Sequence, residues 1–400
     1  MEQGLLITRR ENRILVVRVE SGKIVQMQAE PIAGALLGNV YVGKVRNIVK
    51  NINAAFVEFQ KGQMGYLSLN TKETPIHTGN SNRQDERVLI GDEIIVQVER
   101  EAVKSKPPTL SGAIELPGCY VVLTTKKNIR NSVSKKIKDV KKREWLQSFI
   151  MKYSTEEYGF VARTNSEDCT EESLKAELMA LSAQYAKIVQ RGEHRVIFSE
   201  LYTAPHAYLS QIRDSSQKKL QEIITDDDDL FEEISDYIHA NRLADKMALS
   251  GWNPSDGKMD AVYDISRTIE RAMRPKVWLK NGAYLVIQPT EALVAIDVNS
   301  GKAISKKKDV EKTYFNVNIE AAKEIARQLR LRNLSGMIVV DFIDMKNVAN
   351  KEELMKILRQ EVAKDSVQTT VVDMTALGLV ELTRKKLRKP LYEQLQDKDA

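Results

Sequence analysis

Two carboxylates stand where hydrophobic strands should be ending: Asp297 in EALVAIDVNSG and Asp341 in GMIVVDFIDM. A buried carboxylate without a partner is costly, so each should be paired, protonated, hydrogen-bonded or bound to a cation. Taken singly, either could cap a loop. On strands joined by one amphipathic helix, the two could also come side by side at the carboxyl edge of a sheet, where open α/β sheets bind ligands. That pairing suits a hard cation. Magnesium takes oxygen ligands, keeps several waters and is commonly held by one or two carboxylates, with substrate phosphate filling the rest. Such an ion can activate a water and offset charge on a phosphate. Asn299, two residues beyond Asp297, shares its strand face if the strand persists. It could bond a scissile phosphate or orient a carboxylate, or it could simply be a turn residue ahead of Ser300-Gly301. Asp344 lies three positions after Asp341 and so leaves that face.

Other chemistries find less support. Gly38, Gly43 and Lys44 match the spacing of a phosphate-binding loop, but Val45 stands where the magnesium-holding Ser or Thr belongs and NVYV alternates like a strand. His77, His194, His206 and His239 form no metal-ligand pair, and no GxSxG elbow occurs. Cys119 and Cys169 lie far apart with no CxxC or histidine companion, so both are expected as reduced thiols rather than a disulfide or zinc site. Four consecutive aspartates, Asp226 to Asp229, cannot all converge on one ion from a helix or strand, and are expected to form a charged turn or a helix start.

The elements that must position these residues come from a chain of 400 residues, 42% hydrophobic and 29% charged. That is ordinary globular usage and room for two to four domains. No run approaches the ~18 apolar residues needed to cross a bilayer, and the start lacks a signal-like segment, so a cytoplasmic location is expected. The net charge of +6 says little, but its distribution says more. Nine basic residues fall between Lys126 and Glu144 against two acids, and further runs lie at Lys306 to Lys308 and Arg384 to Lys389. Such blocks attract phosphate backbones, although each could also be a solvated face.

Leu5 to Gln28 reads as strands with a turn at Ser21-Gly22, and the rhythm continues through Tyr41, Val45, Phe56, Phe59 and Tyr66 to GDEIIVQVER. Short strands at this spacing predict a small closed barrel of the OB kind, with a boundary at the prolines after Lys104. A mixed part follows: strand YVVLTT, a basic helix-like stretch to Tyr153, strand GFVART and a helix from about Glu171 to Gln190. Toward the end, KVWLKNGAYLVIQ predicts a hairpin across Asn281-Gly282. A helix over about 316–332 should put Ile319, Ala322, Ile325, Ala326 and Leu329 on one face. With a further helix at 351–363 and a strand VQTTVVDM, this predicts an α/β layer whose strands are covered on both faces.

At TEALVAIDVNSGKA and FNVNIEAAKEIARQLRLRNLSGMIVVDFIDM the sequence closely resembles the ribonuclease E/G family. GNVYVGKV with NAAFVEF and GYLSL resembles that family's S1-type OB module, and GCYVVL with GFVART its 5′-sensor region. The resemblance implies a multidomain α/β fold. Its expected parts are an RNase H-like domain in two pieces (1–37 and 208–274), an S1-type OB-fold domain (38–112), a 5′-sensor region (113–207) and a DNase I-like catalytic domain (275–400). It also implies an endoribonuclease that cuts single-stranded RNA with magnesium, or alternatively manganese, leaving 5′-phosphate and 3′-hydroxyl ends. By this resemblance Asp297 and Asp341 hold the metal and Asn299 lies beside the scissile phosphate. Arg163, Thr164, Gly118 and Val122 bind a 5′-monophosphate. Phe56, Tyr66 and Lys106 grip RNA, with Tyr66 standing where the family usually has phenylalanine; stacking tolerates that exchange.

One departure stands out. The family generally carries a CPxCxGxG-like zinc link after the catalytic domain, where this sequence reads ELTRKKLRKPLYEQLQDKDA. No zinc is therefore expected, and a homo-oligomer would need apolar or ionic packing instead. The rival expectations are a non-catalytic OB-fold RNA-binding protein, which would have lost a carboxylate, and a DNA-directed nuclease with the same metal chemistry.

Overall fold

The computed structural model describes residues 3–32, 36–70, 73–78, 87–102, 106–215, 221–241, 243–244, 247–304 and 310–396. The basic run Lys306 to Lys308 lies outside the described residues. The chain divides into two compact units, one from Met1–Ala33, Gln221–Ser235 and Ala248–Ala400, the other from Gly34–Leu220 and Asp236–Met247.

In the second of these units, Val40–Val49 is buried on both faces over its first four residues, while burial alternates along Ala54–Gln60 and Gln63–Ser68, which gives those two strands one inward face each. With Thr109–Ser111 and Glu93–Arg100 these strands form a continuous sheet, and the last pairs back on the first. Five strands thereby close into a barrel consistent with an OB-fold, filled by Tyr41, Val57, Phe59, Ile94, Val96 and Leu110. Gly43 is a strand residue of that barrel: a side chain there would meet a Val57 methyl at 2.6 Å. The apparent phosphate-loop glycines are thus packing residues.

A four-stranded sheet, ordered Ser132–Val133, Gly159–Ala162, Val121–Thr124, Glu115–Pro117, occupies the same unit. The basic stretch before Tyr153 is helical only over Val140–Met151, begun by an Asp139 cap on the Lys142 N–H. The residues from 126 to 139 are turns and a short strand instead. The helix expected at Glu171 runs Glu171–His194, capped by Thr170.

The other unit holds a five-stranded sheet in which Gln3–Arg10 pairs antiparallel with Arg13–Glu20 and parallel with Gln221–Thr225. The Ser21-Gly22 turn has φ of 49° and 70°, the paired left-handed conformation of a tight hairpin. The tetra-aspartate run does begin a helix: Asp227 caps Asp228–Ala240 by accepting the Leu230 N–H.

The C-terminal sheet of this unit is ordered Lys276–Trp278, Tyr284–Pro289, Leu293–Asn299, Gly336–Asp341, Leu379–Arg384, Thr369–Met374. Only Leu293–Asn299 with Gly336–Asp341 is a parallel pair, joined by the helix Val310–Leu331. One face packs on that helix and on Val348–Val362 through Leu285, Ile287, Ile296, Ile338, Val340 and Leu382. The expectation of strands covered on both faces is corrected here. Burial alternates along every central strand, and the opposite face exposes Trp278, Met337, Asp297 and Asp341. Antiparallel strands can leave one face to water.

Candidate active site

Asp297 and Asp341 are direct register partners across the one parallel junction of the C-terminal sheet, so their side chains rise from the same face on neighbouring strands. Both are exposed, at the carboxyl ends of their strands. Although exposed, the Asp341 carboxyl is partly desolvated on the sheet, and this, followed by the charges of Asp297 and Asp344, holds it above its ordinary value. Two like charges at one spot raise the energy of the ionised pair, and a cation between them relieves it. Among the described residues no three His, Cys, Asp or Glu side chains converge as a metal cage. The donor set is therefore a carboxylate pair open to solvent, which fits a hard ion that keeps its waters and takes phosphate oxygens. Asn299 continues the strand, and its Nδ2 donates to Asp297 Oδ2 at 2.6 Å. Of the three roles its position in the sequence left open, orienting a carboxylate is the contact seen.

Three supports for this edge escape a reading of the sequence. Asn318, fully buried, donates to the Ile343 carbonyl at 2.7 Å and accepts the Ile343 N–H at 3.0 Å, pinning the segment that follows Asp341. A signal for it does exist: it lies at helical spacing from Ala322, Ile325 and Leu329, a polar residue on an apolar stripe. Glu311, at the start of the same helix, accepts the N–H groups of Lys346 and Asn347. Gly301 takes φ of +50°, and a Cβ there would lie 2.4 Å from the Gly282 carbonyl, so the segment leaving Asn299 rests on the hairpin turn.

In the barrel, Phe56 and Tyr66 are cross-strand partners, both half-buried, with ring centroids 6.2 Å apart edge to face. Their neighbours Ala55, Val57 and Leu67 fill the core, so these two rings lie on the outer surface. Lys106 is exposed, just before Pro107-Pro108, and the Pro108 carbonyl accepts the Tyr66 N–H.

In the four-stranded sheet, Arg163 donates to the Gly118 carbonyl at 2.6 Å, and Thr164 begins a single helical turn with its hydroxyl 3.1 Å from that of Ser134. Val122 lies in the adjacent strand, half-buried and paired with Val161. Glu177, which the sequence does not single out, accepts three consecutive N–H groups, from Cys119, Tyr120 and Val121, at 2.7–2.9 Å. Burial pushes its carboxyl up against the pull of those donors and of nearby Arg163. A side chain at Gly118 would strike that carboxylate at 2.3 Å. Nothing in the spacing of a long helix marks such a tie.

The basic blocks are partly consumed by structure. Lys126 pairs with Glu99 and Glu115, while Arg130 and Arg143 bind main-chain carbonyls. Arg384 is buried in an ion pair with Asp365 at 2.7 Å. Lys135, Lys136, Lys138 and Lys141 remain exposed. Cys119 and Cys169 form no disulfide. Among the described residues no helix is long and apolar enough to cross a membrane.

The chain is 31% identical to Ribonuclease G of Salmonella typhimurium and, equally, of Escherichia coli K12, over 99% of its own length and 82% of theirs. It is 30% identical to Ribonuclease E of a Nostoc species over 90% of its length and 53% of that relative. Residues 115–387, which include Asp297, Asn299 and Asp341, match the profile of the Ribonuclease E/G family. On that match and the near-complete coverage, the chain belongs to the ribonuclease E/G family.

Proposed function

We propose that the chain is an endoribonuclease of RNA processing and decay that hydrolyses single-stranded RNA with magnesium, leaving 5′-phosphate and 3′-hydroxyl ends. The observation that carries this is the register pairing of Asp297 with Asp341 at one strand edge, with Asn299 bonded to the first. Asp297 and Asp341 would hold the ion through carboxylate oxygens. A magnesium ion bound there would acidify a water and neutralise charge on the phosphate. Asn299 keeps one Asp297 oxygen fixed, which limits how the carboxylate can rotate. Asn318 and Glu311 hold the segment after Asp341, so the two acids stay at a constant separation. The open face lets an extended RNA strand lie across the pair. Hydrolysis then joins water oxygen to phosphorus and breaks the bond to the 3′ oxygen, which leaves with a proton.

We assign RNA grip to Phe56, Tyr66 and Lys106, supported by the paired outward rings beside an exposed cation. We assign preference for a 5′-monophosphate to Arg163, Thr164, Gly118 and Val122, supported by the Arg163 to Gly118 contact. We read the five-stranded sheet as the RNase H-like part and the C-terminal sheet as the DNase I-like part.

The test is cleavage of a 5′-monophosphorylated oligoribonucleotide by Asp297→Asn and Asp341→Asn. Each should lose roughly a hundredfold or more, since several kcal/mol of charge stabilisation leaves with the ion, while RNA binding persists. EDTA should silence the unaltered protein. Cleavage near the normal rate by both variants would remove the assignment.

A further inference from the structure

We infer that Trp278, with Tyr284 and Lys276, forms a stacking subsite for the nucleobase beside the scissile phosphate. The inference rests on the endoribonuclease reading above and adds a substrate contact to it. Cross-strand register sets two rows on the open face: Trp278, Tyr284 and Asn299 in one, Lys276, Val286, Asp297 and Asp341 in the next. Trp278 thus stands two strand spacings, about 10 Å, from the strand that carries Asp297 and Asn299, within reach of a neighbouring nucleotide. Val277 packs into the core between the two outward residues, and the Lys280 N–H is held by Glu320 at 2.7 Å, so the hairpin is anchored while Trp278 stays 62% exposed.

A lone exposed aromatic would need no explanation. This one is part of a cluster. The Trp278 and Tyr284 rings lie 5.2 Å apart at 58°, and the Lys276 ammonium sits 4.2 Å from one centroid and 3.7 Å from the other. An indole face with a cation beside it is complementary to a base with its phosphate, and stacking accepts any base. A second copy of this chain is the competing occupant, but the cation and the adjoining carboxylate pair favour a nucleotide carrying its own phosphate.

The test compares Trp278→Ala and Trp278→Phe with the unaltered chain on single-stranded oligoribonucleotides with magnesium, alongside Asp297→Asn. The alanine variant should raise KM roughly five- to a hundredfold, the loss of one stacked base, and phenylalanine should restore most of it. In EDTA, 2-aminopurine placed at successive positions of the oligonucleotide should be quenched most strongly next to the cleavage position, and alanine should abolish that quenching. Unchanged KM and quenching in Trp278→Ala, with Asp297→Asn inactive, overturn the subsite alone. Full activity in Asp297→Asn overturns the catalytic assignment and the subsite with it. Unchanged KM with a lower mass by light scattering gives the face to a second copy instead.

Discussion

The carboxylate pair depends on residues that never need to touch substrate. Asn318 is the clearest, because it satisfies both main-chain groups of Ile343 from inside the core. Alanine there leaves a buried donor and acceptor unpaired, at about 1–3 kcal/mol each. Asn318→Ala should therefore lower the thermal midpoint and also reduce kcat, as Asp341 loses its fixed position. Retained kcat with lower stability would show that Asn318 supports only the fold. Asp341 itself sits above its ordinary value because of partial desolvation and two neighbouring acids, an arrangement strained by like charge and suited to a cation.

At the scale of elements, the parallel junction decides everything about the site. The helix Val310–Leu331 is the crossover that makes Leu293–Asn299 and Gly336–Asp341 parallel, and parallel pairing puts both carboxyl ends at one edge. The adjacent hairpin, Lys276–Trp278 with Tyr284–Pro289, supplies the surface against which the Asn299 segment rests, through Gly301. Gly301→Ala meets both an unfavourable φ and the Gly282 carbonyl, so the segment must shift. The expected outcome is a fall in kcat of up to roughly a hundredfold, the scale of a 1 Å misplacement, with little change in RNA affinity; unaltered kcat would show that the contact is dispensable. The strand Leu379–Arg384 is the element of this sheet that its sequence conceals. Its burial alternates cleanly, but the charges of outward Glu381 and inward, buried Arg384 interrupt the apolar letters, and one of its two partners, Gly336–Asp341, lies earlier in the chain beyond a long helix.

For the whole molecule, charge divides into structural and available sets. Lys126, Arg130, Arg143 and Arg384 are committed to internal partners, whereas Lys135, Lys136 and Lys138 are exposed. If the exposed set meets RNA phosphates, replacing all three with alanine should reduce the slope of log affinity against log salt by about two, at ~0.7 per single-strand contact. Arg143→Ala should instead destabilise the fold and leave that slope alone. Fluorescence-monitored RNA titration at several salt concentrations separates the two, and an unchanged slope in the triple variant would exclude this patch from the interface.

The sequence alone determined the family, the barrel, the hairpin across Asn281-Gly282, the long helix before Gly336 and the two aspartates at strand ends. These are readable because strand alternation, helical spacing and a charged residue interrupting an apolar run are local patterns. The tertiary structure alone decided that Asp297 lies directly opposite Asp341, that Asn318 turns inward to hold Ile343, and that the far face of the sheet stays open with Trp278 on it. Register, crossover and burial are set by pairings between segments far apart in the chain, where many arrangements satisfy the same local pattern and only packing selects one.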